Sequence, residues 1–163
     1  MNERLVVIGG DAAGMSAASQ ARRRRSSDDL AIVAFERGRH TSYSACGIPY
    51  LVGGVVHDPE ELIARSPETF RSTFAIEAHV RHEVTEIDLD RQVVRVRDLE
   101  EEGEERQEGF DQLVVATGAV PLRPKLPGAE ADGIHGVQVL DDGLALRRLL
   151  DEARPSRAVV VGG

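Results

Sequence analysis

Short apolar runs, separated by helix-forming and glycine-rich stretches, organise this chain. Leu5-Val6-Val7-Ile8 is the first run, closed by Gly9 and Gly10, and it reads as a strand buried on both faces. From Ala12 to about Arg25 the residues are small or good helix formers, with no proline, which predicts a helix. Leu30 to Glu36 predicts a second strand. Strand, helix and strand within about 30 residues make a βαβ unit, hence a parallel sheet with helices on its faces. Residues 37–58 are irregular, and Pro59–Ala64 and Pro67–Arg71 read as helical turns. Strand patterning spans 76–98 and is clearest at Gln92–Arg97, where polar and apolar residues partly alternate. The acidic stretch Glu100–Glu105 contains Gly103 and reads as a solvated hairpin turn. Leu113–Ala116 is another buried strand, residues 119–136 with three prolines form a linker, and Leu140–Ala153 is a helix. Ala158–Val161 is expected as a last strand running into Gly162 and Gly163.

A chain of 163 residues suffices for one domain with a core and the start of another. A formal net charge of −8 opposes a broad nucleic-acid surface, which needs excess Lys and Arg on one face. No apolar run approaches the roughly 18 residues of a membrane span. Met1–Leu5 leads straight into a strand rather than a signal peptide. A single cysteine cannot form an internal disulfide. A soluble cytoplasmic protein is therefore expected, with no nucleic-acid and no membrane partner. No metal site is expected: the five histidines lack ligand spacing with Cys46, and His79 and His82 should point to opposite faces of a strand.

Gly9-Gly10-Asp11-Ala12-Ala13-Gly14 stands where a GxGxxG turn stands, after a strand and opening a helix. Such a turn lets backbone approach a pyrophosphate closely, and the free N–H groups of the helix start bind its charge. Asp11 replaces the middle glycine. Glu36 ends the second strand, roughly 20 residues past the motif, where an acid can bind ribose hydroxyls. Together these favour nucleotide binding over a purely structural glycine turn. They leave NAD and FAD both open.

Cys46 lies in Thr41-Ser42-Tyr43-Ser44-Ala45-Cys46-Gly47-Ile48-Pro49-Tyr50. A lone cysteine is usually a small buried hydrophobe. In a loop that starts a helix, the thiolate is favoured and becomes a nucleophile, and Gly47 would admit a bulky partner. Local chemistry leaves the two readings balanced.

These pieces in order resemble the pyridine-nucleotide disulfide oxidoreductases, most nearly the coenzyme A-disulfide reductase and NADH oxidase group. The matching segments are Val7–Arg23, Phe35-Glu36-Arg37, Ser42–Tyr50, Ser66–Phe70, His82-Glu83-Val84 and Leu113–Pro121. The resemblance implies an α/β fold: a Rossmann-like FAD-binding domain with a parallel sheet and a small antiparallel β insertion, incomplete relative to the full family fold. Residues 1–120 would be the first part of that domain. Residues 121–157 would be a linker and helix, and 158–163 the first strand of a truncated NAD(P)-binding domain. It further implies that Gly9, Gly10, Ala12, Ala13 and Gly14 form the FAD pyrophosphate turn. Glu36 would hold the ribose, with Arg37 beside it. Val84 would meet the adenine through its backbone, and Thr117 and Gly118 would close over the FAD. Cys46 would be the redox cysteine. Ser16, Gln20, Arg23 and Ser42 would hold coenzyme A, the remaining arginines of Arg22–Arg25 forming a solvated helix end. Ala45 and Phe74 depart from the Asn and Lys found in some coenzyme A reductases.

The implied reaction passes electrons from NAD(P)H through FAD to Cys46, with the second sulfur supplied by a small thiol or disulfide such as coenzyme A. A homodimer is implied for the full-length enzyme, and a fragment not competent alone for this chain. An NADH oxidase or peroxidase would instead cycle Cys46 through sulfenic acid. A non-catalytic nucleotide-binding module would bind nucleotide without flavin or cysteine.

Overall fold

The computed structural model describes residues 2–100 and 103–161. The chain divides into two units, one of residues 1–43 and 63–119, the other of residues 44–62 and 120–163. Each is described by itself.

The first unit has three layers. Strands β1 (Glu3–Ile8), β2 (Leu30–Phe35), β3 (Ile76–His79) and β7 (Gln112–Val115) form one sheet in the order β3-β2-β1-β7, and every neighbouring pair is parallel. The continuous apolar runs follow from this placement, because a parallel sheet is covered on both faces. On one face Leu5, Val7, Ile32, Ala34, Ile76 and Ala78 meet Met15 and Ala18 of helix α1 (Ala12–Arg24) and Phe70 of helix α3 (Pro67–Phe74). On the other face Val6, Ile8, Val33 and Phe35 pack against Val94, Val96 and Phe110. Ser66 caps α3 by accepting the Thr69 N–H at 3.2 Å, with Pro67 at the first helical position.

Val94 and Val96 belong to a three-stranded antiparallel sheet of β4 (His82–Asp88), β5 (Val93–Asp98) and β6 (Glu105–Gly109). Its outer surface carries Arg95–Glu86 at 3.0 Å and Arg97–Glu105 at 2.8 Å, exposed pairs worth well under about 1 kcal/mol each. β5 and β6 pair as a hairpin with Gly103 between them at φ 75°; residues 101 and 102 of the acidic stretch lie outside the described residues.

Three expectations are corrected. Residues 158–161 are in no strand, and Val159, Val160 and Val161 are exposed; an apolar run becomes a strand only where a neighbour completes its hydrogen bonds. His79 and His82 do not diverge: their rings lie 5.2 Å apart. Each belongs to a different sheet, and the turn between them has Arg81 at φ 58°, so strand alternation does not apply. Arg22 is no solvated helix end. It follows Met15, Ala18 and Ser19 on the buried stripe of α1, and its guanidinium donates to the carbonyls of Phe74, Arg25, Leu30 and Ala75.

In the second unit, a 3₁₀ turn (Ala45–Gly47) runs into helix α2 (Ile48–Val52), which packs on helix α4 (Leu140–Ala153). Gly143 permits this contact, since a Cβ there would lie 2.6 Å from Ile48 Cγ2. Asp142 holds the start of α4 by accepting the N–H groups of Gln138 at 2.9 Å and Val139 at 3.0 Å. Among the described residues no helix is long and apolar enough to cross a membrane.

Phe70 is wholly buried between α3 and the sheet. Phe70→Ala should lower the unfolding free energy by about 3–5 kcal/mol, read as a shift in the urea midpoint.

Candidate functional site

The C-terminal ends of the parallel strands bring one group of predicted residues together. β1 is followed by Gly9-Gly10, β2 by Glu36 and β7 by Ala116-Thr117-Gly118. Gly9 has φ 107°, and a Cβ there would lie 2.2 Å from the Ala116 carbonyl oxygen. At Gly10 a Cβ would lie 2.7 Å from Glu36 Cβ, and at Gly14 it would lie 1.9 Å from the Gly9 carbonyl oxygen. At Gly9 and Gly14 backbone therefore packs on backbone, and the glycines bring the start of α1 close to the strand ends.

Glu36 closes the arrangement. Its carboxylate accepts the N–H of Gly10 at 2.6 Å and of Gly38 at 2.7 Å, one on each oxygen. An ionised carboxylate offers about four lone-pair positions, so acceptor capacity is left for a vicinal diol. Ala12 and Ala13 open α1 and are exposed, as are Arg37, Thr117 and Gly118. Val84 lies half-buried on β4, whose first residue, His82, donates its backbone N–H to the Glu36 carbonyl at 2.9 Å.

Asp11, which breaks the glycine motif, sits in this turn with Oδ1 buried and unpartnered. Burial pushes its carboxyl up from the ordinary 3.8; the backbone N–H groups of Ala12 and Tyr43 pull it down, and the Glu36 charge raises it further. Sequence spacing gave no sign of this burial, since a residue at a helix N-cap ordinarily faces water.

Ser16, Gln20 and Arg23 recur at helical spacing on the exposed side of α1, away from the buried stripe. Arg23 donates to Gln20 Oε1 from Nε at 3.0 Å and from Nη2 at 2.5 Å. Ser42 joins the turn: its N–H donates to the Gly10 carbonyl at 3.0 Å, and its φ is 48°. That left-handed backbone stores strain in a residue with a Cβ.

Cys46 belongs to the second unit, exposed in the 3₁₀ turn. The close approach allowed by Gly47 is that of Leu62, whose Cδ2 would lie 2.3 Å from a Cβ. Ser44 N–H donates to the Leu62 carbonyl at 2.8 Å, so the cysteine turn is anchored on both sides. Among the described residues no group of three or more His, Cys, Asp or Glu could hold a metal ion.

Gly14→Ala should lower the urea midpoint far more than Gly38→Ala. The first Cβ meets a carbonyl at 1.9 Å, the second a movable carboxylate oxygen at 3.0 Å. Asp11→Asn should raise stability near neutral pH. A raised carboxyl stabilises the fold only below its ordinary range and loses that contribution as pH rises. The gain should shrink as pH falls through and below the ordinary carboxylate range, where the aspartate too is neutral.

A family model described as pyridine nucleotide-disulphide oxidoreductase matches residues 3–163. An NAD(P)H coenzyme A polysulfide/persulfide reductase of Pyrococcus horikoshii is 37% identical over 163 residues, covering 100% of this chain and 35% of that protein. An NADH oxidase of Methanocaldococcus jannaschii is 31% identical and a coenzyme A disulfide reductase of Staphylococcus aureus 32%, each covering 98% of this chain and 35% of the relative. The chain therefore spans about a third of the length of these curated relatives. Among solved structures, the reduced Bacillus anthracis CoADR-RHD superposes with a TM-score of 0.89 at 29% identity, covering 95% of this chain and 28% of that one. The glycine turn, its acidic partner and this match over nearly every residue lead to one conclusion: the chain belongs to the pyridine nucleotide-disulphide oxidoreductase family.

Proposed function

We propose that the first unit binds FAD and that the chain serves NAD(P)H-dependent reduction of a small-molecule disulfide, such as coenzyme A disulfide, through Cys46. The observation that carries this reading is the glycine turn closed by Glu36, in a chain of this family. The site fits the group, because Glu36 keeps acceptor capacity for a diol beside the exposed start of α1 at Ala12 and Ala13. Gly9, Gly10, Ala12, Ala13 and Gly14 would then form the turn around the pyrophosphate, with the N–H groups of Gly9 and Gly10 held by the Phe35 carbonyl and by Glu36. Glu36 would accept the ribose hydroxyls, flanked by Arg37. Val84 would offer backbone to the adenine, and Thr117 and Gly118 would border the flavin side. Bound FAD supplies a carrier that takes a hydride from NAD(P)H and passes two electrons to sulfur.

Cys46 acts as nucleophile. Its thiolate attacks one sulfur of the disulfide, forms a mixed disulfide and expels the other half as a thiolate, which takes a proton from water. Two electrons that originate in NAD(P)H then return Cys46 to the thiolate and release the second thiol. Ser16, Gln20, Arg23 and Ser42 are the residues to hold coenzyme A, with Arg23 suited to a phosphate. A homodimer of the full-length protein is part of this reading. The second reading is an oxidase in which Cys46 passes through sulfenic acid, and the M. jannaschii relative named NADH oxidase favours it.

Purified chain incubated with FAD and then desalted should retain the visible flavin band, and Gly14→Ala should lose it. Incubated with coenzyme A disulfide, the chain should gain one coenzyme A by mass spectrometry, and Cys46→Ser none. Absence of any flavin in the wild-type chain counts against the cofactor; a peroxide-dependent gain of one oxygen, with no coenzyme A adduct, favours the oxidase reading.

A further inference from the structure

Two histidines bracket Glu36. The Glu36 N–H donates to the His79 carbonyl at 2.8 Å, and the Glu36 carbonyl accepts the His82 N–H at 2.9 Å. Both imidazoles stack on Phe35, the residue before Glu36. The His79 ring lies 5.6 Å from it at 18° and the His82 ring 6.2 Å at 24°. The Arg106 guanidinium covers the same ring at 5.8 Å.

His82 has a ring nitrogen with two competing neighbours. Nδ1 lies 2.8 Å from the Val80 carbonyl, an acceptor only, so Nδ1 carries a hydrogen. Nε2 then faces Arg106 Nη1, a donor, at 3.3 Å, and Asp98 Oδ2, an acceptor, at 3.5 Å. A neutral ring accepts from Arg106. The His79 ring itself lines an open cavity of about 300 Å³ with Arg4, Val33, Glu77 and Glu108, so solvent protons reach it.

We infer that His79 and His82 are positioning residues for Glu36, and that the grip of the glycine turn weakens as the His79 imidazole gains a proton. The consequence for nucleotide binding rests on the reading of Glu36 as the ribose ligand; the consequence for the turn does not. The direction follows from the surroundings. Burial holds His79 below the ordinary 6.5, His82, Arg106 and Arg71 add to this, and Glu77 opposes them. A group with a depressed value in the fold contributes stability that is complete above its ordinary range and lost as pH falls through the lowered value. The stack on Phe35 is therefore intact at neutral pH and loosens on the acid side.

Amide hydrogen exchange of Gly10 and Gly38, the two donors to the Glu36 carboxylate, tests this directly by NMR. Their protection factors should fall as pH drops from about 7.5 to about 5, through the range in which an imidazole gains its proton. His79→Phe keeps an aromatic ring on Phe35 and cannot titrate, so its protection factors should hold nearly constant; His79→Gln serves if the phenylalanine variant does not fold. Wild-type protection that is independent of pH, or that falls equally in both variants, overturns the inference. Flavin affinity measured in parallel should weaken with acid in the wild-type chain alone. If no flavin binds at any pH, the cofactor reading fails, and the exchange data still decide the role of the histidines.

Discussion

A half-buried carboxylate that holds two backbone amides is the constraint on which the ligand end of the first unit depends. Glu36 reaches from the end of β2 to Gly10 at the end of β1 and to Gly38 in its own loop. A carboxylate removed from water must be met by donors, and charge-assisted hydrogen bonds of this kind are the stronger sort. Gly10 can supply its N–H because no side chain intervenes; a Cβ there would collide with Glu36 itself. Through Gly10 the same contact sets the backbone of Ser42, whose N–H bonds the Gly10 carbonyl. The left-handed Ser42 is thus held in place by its neighbours, not by its own preference.

The layered core lets this contact be rigid. Val6, Val7 and Ala34 have almost no exposure, and a strand packed on both faces cannot slip by one residue without turning its whole apolar set around. The register Ile8 against Phe35 therefore decides that Gly9-Gly10 and Glu36 emerge side by side.

Much of this was legible in the residues. The runs at Leu5–Ile8, Leu30–Glu36 and Leu113–Ala116 carry the parallel sheet, and the helix at Leu140–Ala153 was bounded to the residue. The glycine turn and Glu36 were readable because backbone phosphate sites demand those residues at that spacing. What sequence could not reveal depends on non-local partners. Val159–Val161 look like a strand but have none to pair with among the described residues. The five-residue β6, ERQEG, is polar and becomes a strand only because β5 offers it an edge. His79 and His82 look like alternating strand positions, yet a left-handed Arg81 turns them together. Arg22 was open to detection, standing seven residues after Met15 on one helical stripe, the spacing of a buried position.

The position of β1 has a consequence for the order in which the molecule can assemble. β1 is an interior strand whose second neighbour, β7, lies far along the chain; Arg4 and Asp111, which hydrogen-bond across that junction, are 107 residues apart. Pairings of such separation close slowly, because chain entropy is lost before contacts return it. On a ribosome adding about 5–20 residues per second, one edge of β1 would wait roughly 5–20 seconds for its partner to emerge. Through that interval an apolar strand with unpaired amides is open to pairing with another chain, so the emerging polypeptide is most vulnerable to aggregation at the very strand that ends in the interior of its sheet.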